Sequence, residues 1–207
     1  IEKPGITDAA LRAAGSVQKG EVVEQTIHFE APYAYGKLLV AWSMRDVFGF
    51  KAVRTGSGKR QALTVVGIKE NVENFEIVLA AALVHATGEM LKADANRPAY
   101  ENARSFRAAF LEGYSSRIGG VLARAKREGR QEAEETLTTE ESKGVALVLL
   151  DEKERVNEAF KARFPSVRSS RGHSSQSHSG RSAGSSAASR FSGAGTGVGG
   201  ARGALGA

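Results

Sequence analysis

The longest amphipathic pattern in the chain runs from Ala103 to Arg127. Bulky apolar residues recur there every three or four positions, a spacing typical of one face of an α-helix. They are Phe106, Phe110, Tyr114, Ile118, Val121, Leu122 and Ala125. The opposite side carries small residues, namely Ala109, Gly113, Ser116, Gly119, Gly120 and Ala123. Because each glycine in a helix costs about 1 kcal/mol relative to alanine, the pattern predicts a central helix packed on both sides.

Periodic patterns before this helix predict a strand, a helix and a hairpin. Polar and apolar residues alternate over Glu21–Phe29, which predicts a half-buried strand. A helical pattern follows over Tyr33–Phe48. Two strand-like runs, Phe50–Thr55 and Gln61–Ile68, flank a glycine-containing turn and predict the hairpin.

A second long helix is predicted from Asn71 to about Leu91. Its main apolar stripe begins at Phe75, and Ile77 and Val84 add apolar residues to the other side. A helix that is apolar on both sides is predicted to lie deep in the protein.

The end of the patterned region predicts one more strand and one more helix. Val145–Leu150, with the letters VALVLL, is short and apolar throughout, which is typical of a central strand. A last helix is predicted over Glu152–Phe164, ended by Pro165. The predicted fold is therefore a single α+β domain, in which a small mixed sheet of about four strands is covered by about four helices.

Composition divides the chain into three segments. Residues 1–20 form a leading segment with one short predicted helix, and residues 21–165 form the predicted domain. Residues 166–207 consist mainly of Ser, Gly, Ala and Arg, a composition that predicts disorder because it buries little apolar area. The first residue is Ile1 rather than Met, so we expect a processed product or a fragment that lacks an upstream domain.

The positive charge is concentrated in the tail. The chain has 29 Lys and Arg against 23 Asp and Glu, for a net charge of +6. Every charged residue after Pro165 is an arginine, so the tail carries five of these six positive charges. These residues are Arg168, Arg171, Arg181, Arg190 and Arg202. Such a tail is predicted to contact phosphates or another acidic partner.

Several functional classes are excluded or disfavoured by what the sequence lacks. It contains no cysteine, which excludes disulfides and cysteine-ligated zinc. Its apolar runs, such as Ile77–Val84, are far shorter than the roughly 20 residues of a membrane helix. We therefore predict a cytoplasmic protein without membrane association and without a cofactor.

The hairpin turn carries the letters GSGK, which invite comparison with a phosphate-binding loop. Val53 stands where the first glycine of that loop belongs, Arg60 replaces the magnesium-binding Ser or Thr, and a strand follows instead of a helix. The comparison therefore fails. Arg54, Lys59 and Arg60 instead predict a basic hairpin tip that contacts phosphates, and a solvated turn is the alternative.

Three polar residues on predicted helices form a candidate pocket. His85 lies in an apolar run, and Glu89 follows one helical turn later. These groups serve in acid–base catalysis, but an interior histidine held by hydrogen bonds is the alternative. Arg107 falls inside the apolar arc of the central helix, either as a side chain that extends past the edge of the core or as a buried guanidinium.

Five phrases along the chain resemble one protein family. They are PYAYGKLLVA from Pro32, GIKENVENFEIVL from Gly67, ARSFRAAFLEGYSSRIGGVL from Ala103, ALVLLDEKERVNEAFKARFPSVR from Ala146 and GRSAG from Gly180. Their order and spacing resemble the C-terminal region of uncharacterised bacterial and phage proteins that carry domain of unknown function 2786 at their N-terminus. The resemblance implies that a small helical domain precedes this region. It implies no established activity and no functional residues.

Three functions follow from these observations. The first is a nucleic-acid-associated accessory module, in which the basic tail and the hairpin tip contact DNA or RNA. The second is a protein-interaction or oligomerisation module, which binds a protein partner or a second copy through the small face of the central helix or through the tail. The third is an unrecognised enzyme built on His85, Glu89 and Arg107. The sequence favours the first.

Overall fold

Three strands and six helices make up the part of the chain that the computed structural model describes, which comprises residues 20–134, 139–167 and 176–192. The side chains of residues 132–134 and 139–143 lie outside this description. The strands are β1 (Val22–Glu30), β2 (Lys51–Ser57) and β3 (Arg60–Ile68). The helices are α1 (Ala34–Ser43), α2 (Arg45–Phe48), α3 (Lys69–Ala95), α4 (Ala103–Glu134), α5 (Thr139–Arg163) and α6 (His178–Ser189).

The strands form an antiparallel sheet in the order β1–β3–β2. Val22 of β1 pairs with Ile68, and Lys51 of β2 pairs with Val66, so β3 is bonded on both edges. Gly56 and Gly58 at the β2–β3 turn have φ values of 88° and 57°, a conformation that glycine adopts at little cost. The predicted hairpin is therefore confirmed.

One face of the sheet packs against the main hydrophobic core. Leu63 and Val65 of β3 are fully buried members of that core. The Phe75 ring of α3 lies 4.6 Å from the Phe50 ring and 5.7 Å from the Phe48 ring. Burial of each such side chain contributes about 1.5–3 kcal/mol, so the short segment between α1 and β2 is fixed by its aromatic contacts with α3.

The other face of the sheet is covered by α5, and here the sequence prediction was wrong. Val145–Leu150 is part of a 25-residue helix and not a central strand. This helix contacts all three strands and buries Val145 and Val156, whereas Leu147 is 67% exposed. A continuous apolar run has no period, so it does not distinguish a buried strand from a helix packed on a sheet. The α+β class is confirmed, but the sheet has three strands and is antiparallel rather than mixed.

Two of the predicted helices also differ from the structure. The helix predicted over Tyr33–Phe48 is broken at Met44 into α1 and the single turn α2. Helix α3 was predicted to be buried on both sides, but Ile77 is 57% exposed and Val84 is 75% exposed. Apolar periodicity identifies a face that is able to pack, and it does not show whether a neighbour covers that face.

The prediction that α4 is packed on both sides is confirmed. On its bulky face Phe110, Tyr114 and Ile118 are fully buried. On its small face, a Cβ atom at Gly119 would overlap the carbonyl oxygen of Ser43, where α1 ends. A Cβ atom at Gly113 would overlap the carbonyl oxygen of Arg181 in α6. Glycine at both positions lets another backbone lie directly against α4.

Helix α6 lies within the segment that was predicted to be disordered, and for residues 178–189 that prediction was wrong. Its Gly180 and Gly184 lie against the carbonyl oxygens of Phe106 and Phe110, where a Cβ atom would overlap. A prediction from composition considers only the apolar side-chain area that a segment is able to bury. Helix α6 packs instead through close contact between backbones, and a low content of apolar residues does not prevent such contact.

The two ends of α6 are also anchored in the domain. Before the helix, Ser177 accepts a hydrogen bond from the Gly180 amide at 3.0 Å and donates one to the Glu101 carboxylate. After it, Phe191 and Ala188 belong to the main core. The folded domain therefore includes residues 176–192. Residues 1–19, Arg168, Arg171 and Arg202 lie outside the described residues, as do the predictions made for them.

We expect Gly184→Ala to destabilise the protein by about 1–3 kcal/mol, because the added methyl group overpacks the α4–α6 contact. Urea unfolding followed by circular dichroism measures this effect. Gly120→Ala is the matched control, since Gly120 lies in a helix with no atom within 4 Å of the place that a Cβ atom would take. The control should stabilise the protein by about 0.5–1 kcal/mol. If both substitutions changed the free energy of unfolding by the same amount, the close contact between α4 and α6 at Gly184 would be contradicted.

Candidate functional site

His85 meets Tyr114 where α3 packs against α4. The His85 Nδ1 atom lies 3.0 Å from the Tyr114 hydroxyl, within hydrogen-bonding distance. The Phe191 ring, just after α6, and the imidazole form a T-shaped contact with ring centroids 5.4 Å apart. Tyr114 is fully buried, and burial raises its pKa. The imidazole of α3 is thus in contact with groups from two other parts of the fold.

Glu89 lies one helical turn after His85 and is held by two cations. Its carboxylate accepts hydrogen bonds from Lys92 at 2.8 Å and Arg190 at 2.6 Å. These hydrogen bonds lower the pKa of Glu89 to about 2, and the bond from Lys92 has the larger effect. Burial lowers the pKa of His85, and the nearby Glu89 carboxylate opposes this shift. The pair is therefore a neutral imidazole and an ionised carboxylate at neutral pH.

Arg107 belongs to a separate ion pair. Its Nε and Nη2 atoms donate to the same Asp94 carboxylate oxygen at 3.0 and 2.5 Å. Asp94 also accepts from Arg97 at 3.1 Å, and the hydrogen bonds from Arg107 and then Arg97 help to lower the Asp94 pKa. Arg107 lies two helical turns before Tyr114 on α4, so the structure brings His85 and Glu89 together and places Arg107 elsewhere.

Two arginines of the predicted basic tail are docked on the domain. Arg190 donates to Glu89, and Arg181 lies 3.0 Å from the Glu112 carboxylate of α4. Both carboxylate side chains are less than one-fifth exposed, at 17% and 14%. These arginines hold α6 against α3 and α4, a role that sequence reasoning did not assign to them.

The predicted hairpin tip is open to solvent. Lys59 and Arg60 are exposed, and Arg60 lies 3.9 Å from Glu30 across the sheet. An ion pair this long between exposed side chains contributes little, so the tip keeps its cationic character. Arg54, the third predicted tip residue, is turned toward Trp42 instead.

Trp42 is the centre of a basic cluster that the sequence analysis missed. The guanidinium carbons of Arg45 and Arg54 each lie 4.9 Å from the centroid of the Trp42 ring. Arg45 also donates to the Trp42 carbonyl oxygen at 3.3 Å. At this distance a guanidinium group is attracted to the ring quadrupole. The three-residue spacing of Trp42 and Arg45 was the available signal, but Arg54 arrives from a strand.

Lys126 of α4 is a third cationic residue that contacts the segment after Trp42. Its Nζ atom donates to the Val47 carbonyl oxygen at 2.5 Å, on the same helical turn as Arg45. Burial, with a smaller effect of Arg130, lowers the pKa of this amine. Asp46 is the nearby acid, 3.3 Å from Arg45 and largely exposed. We call Trp42, Arg45 and Arg54 the Trp42 cluster.

An open groove of about 380 Å³ lies between α4 and α6. It is lined by Ser116, His178, Arg181, Ser182, Ser185 and Ser186. Within the described ranges, no three His, Asp or Glu side chains converge in a way that would hold a metal ion. None of the described helices is long and apolar enough to span a bilayer.

Comparison with models of protein families, with curated proteins and with solved structures found no match. The resemblance to proteins that carry domain of unknown function 2786 therefore stays a prediction.

We expect acidification from pH 7 to pH 5 to destabilise the protein through His85. Because its pKa is lowered on folding, the unfolded chain binds the proton more readily, and stability falls as pH drops below about 6.5. The lowered pKa of Glu89 acts in a separate window, below its ordinary value of 4.5. Urea unfolding at several pH values measures how the free energy of unfolding changes with pH.

His85→Asn should flatten this dependence between pH 5 and 7, because the amide does not titrate. His28→Asn is the control, since His28 is exposed on β1. An unchanged slope in His85→Asn would show that His85 is not the responsible group.

Proposed function

We propose that the protein is an accessory module that binds nucleic acid through the phosphate backbone, with the Trp42 cluster as its folded contact surface. The observation that carries this proposal is the convergence of Arg45 and Arg54 on one tryptophan ring. Cationic groups combined with an aromatic side chain are the usual composition of a surface that binds single-stranded nucleic acid.

The stacking on Trp42 prepares the arginines for phosphate binding. A guanidinium group stacked on a ring is held in a fixed orientation, and its planar fork matches two phosphate oxygens. Since Arg45 and Arg54 are already ordered by the ring, less side-chain entropy is lost when a ligand binds. The cluster therefore suits phosphate groups better than isolated surface arginines do.

The hairpin tip extends the same surface along β2. Arg54 and Lys59 lie on one hairpin, at most about 17 Å apart for an extended strand. Lys59 and Arg60 are exposed and add two cationic groups at the end of this path. A chain of phosphates that crosses the Trp42 cluster is then able to reach the tip.

Arg181 and Arg190 are less suited to this function than the sequence implied. Their guanidinium groups already bind Glu112 and Glu89, and a phosphate would have to compete with these carboxylates. Arg168, Arg171 and Arg202 stay predicted contacts of the tail. An enzyme is the alternative that the geometry favours least, because His85, Glu89 and Arg107 each have protein partners.

We expect the protein to bind single-stranded oligothymidine with an affinity that falls steeply between about 50 and 200 mM salt. The salt slope is the slope of the logarithm of the binding constant against the logarithm of the salt concentration. Arg45→Gln and Arg54→Gln should each weaken binding and reduce the size of this slope by about 0.7, since each removes one phosphate contact. Trp42 is the only tryptophan of the chain, so its fluorescence should change on binding and report directly from the cluster. Fluorescence anisotropy of labelled DNA measures affinity.

The matched control is Arg163→Gln, which removes one positive charge from α5, where Arg163 pairs with Glu24 at 2.7 Å. This variant should keep the salt slope of the unmodified protein. Absence of binding at about 50 mM salt would remove the proposal. If DNA binds without changing Trp42 fluorescence, and both cluster variants keep the salt slope of the unmodified protein, the phosphate contacts lie in another part of the chain.

A further inference from the structure

The outer side of α3 is an apolar face that no other described element covers. Ile77, Val84 and Leu91 are 57%, 75% and 55% exposed, and they recur every seven residues on one side of the helix. Ala80 and Gly88, which lie between them on the same side, are also exposed. The inner side of α3 is buried in the core, so this helix has a second apolar face whose exposure to water is unfavourable.

We infer that this outer face binds the same face of a second copy of the chain, with the two α3 helices antiparallel. Along the face the residues read Ile77, Ala80, Val84, Gly88 and Leu91, which is large, small, large, small, large. This order is symmetric about Val84. A two-fold axis at Val84 therefore places Ile77 beside Leu91 of the second copy and Ala80 beside Gly88, while Val84 meets Val84.

The small residues set how closely the helices approach. Gly88 has no atom within 4 Å of the position that a Cβ would occupy, and Ala80 presents only a methyl group. Helices with small residues at the contact pack near the short end of the usual range of about 8–10 Å between axes. The symmetric face thus matches its own shape, as an isologous interface requires.

The charges at the two ends of the face favour the antiparallel arrangement. Glu73 lies on the line of the face near the N-terminal end of α3, and Lys92 borders it near the C-terminal end. Both side chains are exposed. With the axis at Val84, Glu73 of one copy lies about 4.5 Å along the helix from Lys92 of the other, within reach of an ion pair. The Lys92 ammonium group already donates to Glu89 of its own chain at 2.8 Å, and its remaining donors are able to bind a second carboxylate. A parallel arrangement would place Glu73 beside Glu73 and Lys92 beside Lys92.

The size of the outer face determines how stable a dimer we expect. From Ile77 to Leu91 the helix is about 21 Å long. One helix pair of this length buries less than a standard interface of about 1,600 Å², so we expect a dimer that dissociates on dilution. This inference is independent of the proposed nucleic-acid binding, because it uses a different surface.

Cysteine cross-linking tests the inference directly, since the chain has no cysteine of its own. In Val84→Cys the two thiols meet at the axis, and treatment with diamide, which accepts the two electrons, should join most of the protein as a disulfide dimer. Leu147→Cys is the control, because Leu147 is a 67% exposed apolar residue on α5. It should remain mainly monomeric under the same conditions.

Analytical ultracentrifugation over a concentration series supplies the second measurement. The unmodified protein should show a monomer–dimer equilibrium, and Val84→Asp should raise the dissociation constant at least tenfold by placing two carboxylates together. Glu73→Lys and Lys92→Glu should each weaken the dimer, and the double variant should restore it. A monomer at every concentration would overturn the inference. Equal cross-linking of the two cysteine variants, or no rescue by the double variant, would also overturn it.

Discussion

The rest of the structure depends on the backbone contact between α4 and α6. Gly113, Gly180 and Gly184 lie where the two helices touch, and a Cβ atom at each position would overlap a backbone carbonyl oxygen of the other helix. Close approach maximises the number of dispersion contacts between the two backbones, which substitutes for the apolar side chains that α6 lacks. Because α6 is held there, Arg190 reaches Glu89 and Phe191 reaches His85.

This contact also changes how the charges of the chain are divided. The sequence separates a nearly neutral body from an arginine-rich tail, but two of the tail's arginines complete ion pairs on the body. The carboxylates they meet are mostly buried, and such groups are costly to leave unpaired. Arg45 and Arg54 converge instead on Trp42, and Lys59 and Arg60 are exposed at the hairpin tip.

The features that could be predicted are those set by local pattern. The two-sided packing of α4 followed from its bulky and small faces, and the β2–β3 hairpin followed from its glycine turn. Features that depend on a distant neighbour could not be predicted. Val145–Leu150 shows this limit, because an apolar run fits a strand or a helix equally well. Arg54 shows it at the site, since its ring partner lies on another element.

The sequence by itself determined the α+β class, the central helix and the residues able to pack or carry charge, because periodicity and composition are properties of neighbouring positions. Only the tertiary structure decided which of these residues meet. It joined His85 to Tyr114, separated Arg107 from them, and left the outer face of α3 exposed among the described elements. Contacts between distant residues depend on where whole elements come to lie, and that position is a result of packing over the entire domain.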